Sequence, residues 1–280
     1  MWNLIETCAG GGALTLSYLQ AKGQIVPYQG SKWRLRHELT NLITIRGYPA
    51  NNLGSVHLVD AGPWGDTWNV LSTARWWIRQ HLSRMMELDP RDAYDFLHKR
   101  ECSSDPVLRA AEHLFLSRLA FSGKAVADRD GIWRSAGFNK TSAYGVAGTN
   151  RFGAVRPMIP ALVDRLDETW KPIQLRGERT CAISAFYQVG RNAVAYIDPV
   201  YVGTTRYPDV EISRLKVISL ALRLEKSCGL VIVSEAEVIP ELVDSGWTAK
   251  CLRGPSAHRA NFRSSAPEYV MVSPDAKRTK

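Results

Sequence analysis

Short, strongly apolar runs recur along this chain, and glycine or proline clusters bound most of them. Apolar runs between such breaks are typical of buried strands. The last two runs are predicted to pair with each other as a hairpin. The segments predicted to be strands are residues 1–6, 56–59, 193–197 and 230–234, followed by 249–252 and 269–272.

Between these runs, apolar residues recur at the spacing of a helix. Leu14, Tyr18 and Leu19 follow this spacing after the first glycine turn, which predicts a helix there. A tryptophan-rich helix is predicted after Gly65, and arginines are frequent in the segment that follows it. The helix with Leu14 covers about residues 13–22, and the remaining predicted helices cover about residues 33–45, 75–125 and 211–226.

The alternation of strands with helices predicts an α/β fold of Rossmann-like type. Such a fold has a mostly parallel sheet with helices on both faces, and it binds ligands at the carboxyl ends of its strands. Residues 1–75 and 155–280 are predicted to form this domain, and residues 76–154 a helical and loop insertion. Within the insertion, residues 121–152 are rich in Gly, Ser, Asn and basic side chains. A loop of that length is uncommon without a function, so we expect residues 121–152 to form an ordered functional region.

The overall charge narrows the choice of partner. The chain has 280 residues, 45% of them hydrophobic, and a formal net charge of +9. This hydrophobic content supports a packed core, and the positive charge favours a polyanionic partner, of which nucleic acid is the commonest. A basic surface without a specific partner is the alternative.

Cysteine and histidine usage indicates the compartment and excludes some chemistry. The five cysteines are widely spaced without a Cys-x-x-Cys pair, which indicates reduced thiols in a cytosolic protein. The six histidines lack the spacing of metal ligands, so we expect no metal. We also expect no signal peptide and no membrane span, because neither pattern is present. The predicted location is therefore cytoplasmic.

One group of residues predicts a pocket for a nucleoside cofactor. Gly10 and Gly12 follow the first predicted strand, where glycine lets the backbone approach a ligand closely. Asp60 ends the next strand, where a carboxylate can accept hydrogen bonds from both ribose hydroxyls. Tyr28 and Lys32 flank another glycine turn, where they could pack on the cofactor and bind its carboxylate. The identity of the cofactor stays open, and an ordinary glycine turn with a loop acid is the alternative.

A second group predicts chemistry on an amine. Asp198, Pro199 and Tyr201 follow a strongly apolar strand, which places them at the carboxyl edge of the sheet. An exocyclic base amine is a poor nucleophile, because its lone pair is delocalised into the ring. The Asp198 carboxylate and the Pro199 carbonyl could each accept one amine hydrogen, while Tyr201 stacks on the base. The alternative is that Asp-Pro merely begins a turn.

Taken together, six segments resemble the Dam-like family of N6-adenine DNA methyltransferases. They match the cofactor loop, the lysine motif, the ribose-binding acid, the Asp-Pro-Pro-Tyr motif, a late strand and helix, and the stretch before the target-recognition region. In that order they read LIETCAGGGALTL, VPYQGSKWRL, HLVDAGPWGDTW, AYIDPVYVGTTRY, LVIVSEAEVIPEL and FSGKAVADRDGIWRSAGFNKTSAYG.

The resemblance implies S-adenosylmethionine as cofactor, DNA as partner, catalysis by the Rossmann-like domain, and a monomer or weak dimer. Asp198, Pro199 and Tyr201 would hold the flipped base. The implied cofactor-binding residues are Glu6, Gly10, Gly12, Tyr28, Lys32, Asp60, Ser184 and Phe186. The DNA contacts expected from charge and location are Lys124, Arg129, Arg134, Asn139 and Lys140.

This chain departs from the family pattern at three points. The lysine motif follows the glycine motif, whereas the family usually has it first. Val200 replaces the second proline, which frees the backbone of Pro199 and loosens the aim of its carbonyl. The acid that the family often has near the cofactor adenine is missing, and Ser184 is the candidate substitute.

Three functions are consistent with these features. The first is methyl transfer from S-adenosylmethionine to an exocyclic base amine, most readily adenine N6. The second keeps the fold but modifies another base or transfers another group. The third is a degenerate relative that binds DNA without chemistry.

Overall fold

The computed structural model describes the greater part of the chain. The described residues are 1–8, 12–19, 35–128, 130–140, 158–167, 173–185, 187, 189–199, 213–253 and 267–274.

The described residues form two sheets and a set of helices. The strands are β1 (Trp2–Thr7), β2 (Leu53–Asp60), β3 (Ala125–Ala127), β4 (Trp133–Ser135), β5 (Gln174–Arg179), β6 (Ala193–Ile197), β7 (Leu230–Glu235), β8 (Thr248–Arg253) and β9 (Glu268–Val272). The helices are α1 (Ala13–Tyr18), α2 (Arg36–Ile45), α3 (Pro63–Met85), α4 (Pro90–Leu97), α5 (Pro106–Leu119), α6 (Met158–Asp167), α7 (Arg214–Glu225) and α8 (Pro240–Asp244).

The main sheet has seven strands in the order β5-β2-β1-β6-β7-β9-β8. The pairs from β5 to β7 are all parallel, and β9 runs antiparallel to both of its neighbours. Within the central strand β1, Thr7 pairs with Val59 of β2 and with Ile197 of β6. The carboxyl ends of these three strands are therefore level. The predicted α/β fold with a mostly parallel sheet is confirmed, and it is compatible with a Rossmann-like fold.

Helices cover both faces of the sheet, as predicted. On one face, α1, α2, α3 and α5 pack with the sheet in a hydrophobic cluster that includes Leu4, Leu58 and Tyr196. On the other face, α7 packs in a second cluster with Ile5 and Val231. Strands β6 and β7 are buried at every residue because they are covered from both sides.

Several element bounds differ from the sequence-based prediction. β2 begins at Leu53, three residues before the predicted start. α2 begins at Arg36 and α7 at Arg214, both after the predicted starts. The predicted hairpin of the last two strands is confirmed by the antiparallel pair β8–β9. Strand β5 was not predicted, because the exposed positions of this edge strand are all polar and its sequence QLRGER has no apolar run.

The insertion packs on the main domain through α3. The predicted boundary between residues 75 and 76 falls inside this helix, next to a bend at Ala74, whose φ is −132° and ψ is 27°. α5 lies against α3 in the same hydrophobic cluster that contacts the sheet. Part of the predicted loop region forms the antiparallel hairpin β3–β4, and residues 141–152 lie outside the described residues. Among the described helices, none combines the length and apolar character needed to cross a bilayer.

Candidate functional site

Three carboxyl groups share one face of the sheet at its carboxyl edge. Glu6, Asp60 and Asp198 each lie two residues after a side chain of the same hydrophobic cluster. Side chains alternate between the faces of a strand, so these three acids point to the same side as α1 and α3. The cluster side chains that precede them are Leu4, Leu58 and Tyr196.

The strand register sets the spacing of these acids. Asp60 and Asp198 come one residue beyond the pairs that Thr7 makes on its two sides, so both are level with Cys8. Their backbones are thus two strand spacings apart, roughly 10 Å. Glu6 pairs with Tyr196, one step deeper in the sheet. Asp60 and Asp198 therefore lie on either side of the end of β1, one step beyond Glu6.

The environment of Cys8 supports this convergence. Burial raises the pKa of the Cys8 thiol, and the carboxylates of Asp60 and Asp198 raise it further. Cys8 also has a φ of +54°, a left-handed conformation that non-glycine residues seldom adopt. Such backbone conformations persist where the surrounding structure enforces them, often at functional sites. The end of β1 thus lies between the two acids in a constrained conformation.

Glu6 is held by the first turn of α1. Its Oε2 accepts hydrogen bonds from the Thr15 backbone N–H at 2.9 Å and from the Thr15 hydroxyl at 2.5 Å. Burial raises the pKa of Glu6 to about 7, and the negative charge of Asp198 adds to the effect, while the bonds from Thr15 oppose it. The side chain that the resemblance assigned to the cofactor therefore also fixes α1 to the sheet.

Gly12 is required by packing. It is buried and has a φ of +59°, and a Cβ at this position would lie 2.9 Å from Cε2 of Trp68 and 3.1 Å from Leu58. Its lack of a side chain makes room for α3 and β2. Gly12 begins α1, so it places the helix that binds Glu6.

Asp60 lies where β2 passes into α3. Its Oδ1 accepts a hydrogen bond from the Gly62 N–H at 2.7 Å, and its backbone carbonyl accepts one from the Thr180 N–H at 3.0 Å. The segment after β5 is thereby fixed beside Asp60. Ser184 lies in the exposed turn of this segment, where its N–H donates to the Cys181 carbonyl at 2.9 Å.

Asp198 is held by its neighbours on both strands. Its N–H donates to the Thr7 carbonyl at 3.2 Å, and its Oδ1 accepts a bond from the Ser234 hydroxyl at 2.8 Å. Pro199, which follows it, is buried. Ser234 was not among the predicted site residues. Its only sequence signal is a polar residue at the end of the apolar run of β7.

Further acids lie along the same edge. Glu235 ends β7, and Glu268 begins the antiparallel strand β9 beside it. Both are buried. Burial raises the pKa of the Tyr196 hydroxyl well above its ordinary value, and the charges of Asp198, Glu268 and Glu6 contribute to this rise. At the strand ends that the structure describes, these five acids outnumber the arginines Arg179 and Arg253, which are level with Asp60 and Glu268.

The hairpin β3–β4 is anchored to the helices beside this edge. The indole N–H of the buried Trp133 donates to Glu112 Oε2 at 2.9 Å. The Trp133 ring stacks on His113 with centroids 5.8 Å apart, and His113 meets Trp64 edge to face at 4.8 Å. Burial lowers the pKa of His113 to about 3, so its ring is neutral at physiological pH. Trp64 lies in the first turn of α3, so these rings connect the hairpin to the segment that follows Asp60.

The expected DNA contacts differ in their surroundings. Arg134 forms an ion pair with Asp128, whose Oδ2 lies 2.8 Å from the Arg134 Nε. Lys140 is exposed, and Lys124 is half-buried at the start of the hairpin. The Asn139 N–H donates to the Leu119 carbonyl at 2.6 Å, which fixes the end of the hairpin to α5.

Six of the predicted site residues cannot be placed. Gly10, Tyr28, Lys32, Arg129, Phe186 and Tyr201 lie outside the described residues, as does Val200. The others lie at the acidic edge, in or next to the hairpin, or, for Ser184, in the turn after β5. Those at the edge are Glu6, Gly12, Asp60, Asp198 and Pro199.

Searches for similar proteins supply no identification. No family model and no curated protein matches this chain. Within the part of the chain that the structure describes, no three His, Cys, Asp or Glu side chains are grouped to hold a metal ion. The class that fold and site define is an α/β protein with a mostly parallel sheet and a group of acids at the carboxyl edge of that sheet.

Proposed function

We propose that this chain is an S-adenosylmethionine-dependent DNA methyltransferase that acts on an exocyclic base amine, with adenine N6 as the first candidate. The observation that carries the proposal is the placement of Asp60 and Asp198. These acids flank the end of the central strand on one face of the sheet, with Glu6 between and below them. A nucleoside cofactor and a reacting amine need this kind of acceptor on opposite sides of one opening.

The order of the strands supports the proposal. Without β9, the order of the other six strands is that of the doubly wound nucleotide-binding sheet. The reversed β9, inserted between the last two of them, resembles the sheet of S-adenosylmethionine-dependent methyltransferases. This support is an analogy of fold, so the function depends on the site.

The described side chains are chemically suited to the cofactor. The carboxylate of Asp60, beside the first turn of α3, is placed to accept hydrogen bonds from ribose hydroxyls. The acids of this edge favour a positively charged sulfonium. When bound, the cofactor would supply an electrophilic methyl group. Thr15 already donates twice to Glu6, so we assign Glu6 to supporting the pocket from below.

Asp198 has the central role in the chemistry. Its carboxylate would accept a hydrogen bond from the base amine and orient the nitrogen lone pair toward the methyl group. As the methyl group passes from sulfur to nitrogen, the nitrogen would gain positive charge, which the Asp198 carboxylate would stabilise until the nitrogen releases its proton to water. No covalent intermediate with the protein is needed.

The hairpin supports DNA as the substrate. Ring contacts connect it to the start of α3 beside Asp60, and it carries Arg134, with Lys124 just before it and Lys140 after it. Basic side chains at this place would bind phosphates, while the target base leaves the stack to reach Asp198.

The proposal is tested by transfer of isotopically labelled methyl groups to unmethylated DNA. We expect the wild type to transfer label and Asp198→Ala to lose nearly all transfer, with cofactor affinity in calorimetry retained. Asp60→Ala should instead weaken cofactor binding. Asp244→Asn, on the exposed end of α8, is the matched control and should behave as wild type.

Mass spectrometry of the nucleosides from the treated DNA identifies the modified base. A wild type that binds the cofactor and transfers nothing to any DNA would refute the enzyme function. DNA binding without cofactor binding would favour a non-catalytic relative.

A further inference from the structure

We propose that Ser234 and Tyr196 are positioning residues that hold the Asp198 carboxylate in its working orientation. The inference rests on the proposed function of Asp198. Ser234 lies on β7 and Tyr196 on β6, so the two residues join neighbouring strands beneath the reacting position.

The three side chains form a continuous chain of hydrogen bonds. The Tyr196 hydroxyl donates to the Ser234 Oγ at 3.2 Å, and the Ser234 hydroxyl donates to the Asp198 Oδ1 at 2.8 Å. Tyr196 and Ser234 are fully buried. A hydroxyl has one proton to donate. Because Tyr196 donates to the Ser234 oxygen, the Ser234 proton points to Asp198.

The sheet register explains why these residues meet. Ile197 pairs with Val233, which makes Ser234 level with Asp198 on the adjacent strand. Tyr196 and Asp198 are two residues apart in one strand, so both point to the same face. The arrangement therefore depends on the pairing of β6 with β7.

The chain of bonds runs in one direction. The tyrosine keeps its proton at all physiological pH values, because burial and nearby carboxylates raise its pKa. Tyr196 therefore donates, Ser234 accepts from Tyr196 and donates to Asp198, and Asp198 accepts. Serial hydrogen bonds of this kind strengthen one another in a buried environment.

The sequence after Asp198 suggests why its carboxylate needs the tether, meaning the hydrogen bonds from Tyr196 through Ser234 to Asp198. Val200 stands where the family pattern has a second proline, so the backbone after Asp198 is less restricted. The hydrogen bond from Ser234 of β7 fixes the Asp198 carboxylate directly, where the family pattern would restrict the backbone. A carboxylate has further lone pairs, so the bond from Ser234 is compatible with an amine at the same group.

Single substitutions at the tether should affect turnover and spare binding. For Ser234→Ala we expect kcat to fall about ten- to a hundredfold, the range of a lost hydrogen bond to a charged group, with cofactor Kd near wild type and a melting temperature lowered about as much as in the control below. Ser234→Thr keeps the hydroxyl and should restore most of kcat. Ser273→Ala is the matched control. Ser273 is also buried and bonds β7, but at its other end, where its Oγ accepts from the Val231 N–H at 2.9 Å.

A double-mutant cycle tests whether the two residues act together. Tyr196→Phe should lower kcat less than Ser234→Ala does, and the double variant should be no slower than Ser234→Ala alone. Additive losses would mean that Tyr196 acts independently of Ser234. An active wild type whose kcat is unchanged in Ser234→Ala would overturn the inference and leave the proposed function intact.

A structural measurement separates failure of the inference from failure of the function. If the wild type transfers no methyl group to any DNA, the proposed function fails. Crystal structures of the wild type and Ser234→Ala then measure the positioning directly. We expect Asp198 to change its side-chain rotamer in the variant, and an unchanged rotamer would overturn the inference.

Discussion

The carboxyl group of Glu6 joins the sheet and the first helix at the carboxyl edge of the sheet. It is buried, it accepts two hydrogen bonds from Thr15, and its pKa is raised to about 7 by burial with a contribution from Asp198. Near neutral pH Glu6 is therefore partly protonated and partly ionised. A change of its charge should change the stability of the protein.

Glu6 should make the protein less stable as the pH rises. Because its pKa is raised on folding, the folded state binds this proton more tightly, so the stabilisation is complete below pH 4.5 and is lost as the pH rises toward 7. The loss amounts to about 3 kcal/mol, from roughly 1.4 kcal/mol for each unit of pKa.

Glu6→Gln tests this expectation, because glutamine keeps the shape without the titration. Urea unfolding at pH 5 and pH 8 should show that the variant loses less free energy of unfolding between the two values than the wild type. Glu241→Gln, on the exposed surface of α8, is the control. Equal pH dependence in the wild type and Glu6→Gln would contradict the prediction.

Substitution of two glycines with similar φ angles distinguishes the cost of backbone strain from the cost of lost packing space. Gly12 has a φ of +59° and Gly131 a φ of +73°, but only at Gly12 would a Cβ meet neighbours within 4 Å. We expect Gly131→Ala to cost about 1 kcal/mol from its backbone alone. Gly12→Ala should cost about 3 kcal/mol or more, because Trp68 must also move. Chemical denaturation measures both, and similar losses would show that packing at Gly12 is unimportant.

At the scale of elements, the hairpin β3–β4 depends on one buried anchor. The Trp133 indole donates to Glu112, which also accepts from the Ser103 N–H at 3.1 Å. The Trp133 backbone carbonyl accepts from the Lys99 N–H at 2.9 Å. These bonds tie the hairpin to α5 and to the segment between α4 and α5.

Trp133→Phe should therefore loosen the hairpin. The change removes a donor from a buried carboxyl group and leaves a cavity, at a cost of about 2–4 kcal/mol in the free energy of unfolding. Hydrogen exchange at the Lys99 amide should quicken. Arg134→Ala, one residue away, breaks only an exposed ion pair and should cost less than about 1 kcal/mol. A Trp133→Phe protein as stable as Arg134→Ala would show that the anchor lies elsewhere.

The elements that could be predicted from sequence are those with a complete apolar pattern. The observed bounds of β6 match the predicted ones, because every residue of that strand is covered by helices. β5 could not be predicted, since it lies at an edge and its close contact with α3 uses glycine. A Cβ at Gly177 would lie 2.6 Å from the backbone carbon of Trp68. A glycine in a charged strand does not indicate a packed surface until its partner is known.

The same limit applies to the candidate site. Asp60 and Asp198 could be predicted because acids directly after apolar strands belong at the carboxyl edge of a parallel sheet. Ser234 could not be predicted, because its contact with Asp198 depends on the register between β6 and β7. The second function of Glu6, binding the first turn of α1, likewise depends on the short path of the chain between them. Contacts between strands require geometry that local sequence patterns lack.

At the scale of the whole molecule, charge is unevenly distributed. The net charge is +9, while the carboxyl edge carries Glu6, Asp60, Asp198, Glu235 and Glu268. Such a distribution suits a cationic cofactor bound within a protein whose outer surface binds a polyanion.

The affinity for DNA should fall steeply with salt, and individual basic residues should contribute unequally. We expect Lys140→Ala to reduce the slope of log K against log salt by about 1, as for one lost phosphate contact. Arg134→Ala should change it less, because Asp128 already pairs with that guanidinium. Fluorescence anisotropy with a labelled duplex measures both slopes. A larger effect of Arg134→Ala would mean that its ion pair opens on DNA.

The position of β1 in the sheet governs the order in which the protein can assemble on the ribosome. Asn3 pairs with Ser55 on one side and with Ala193 on the other, so the second partner is synthesised much later than the first. Long-range parallel pairing is slow to form and leaves strand edges open in the meantime. A nascent chain that has not yet reached β6 thus exposes one edge of β1, which is an internal strand of the finished sheet, and lacks Asp198. Stalled or truncated products would accordingly be both inactive and prone to aggregate, and they would depend on chaperones.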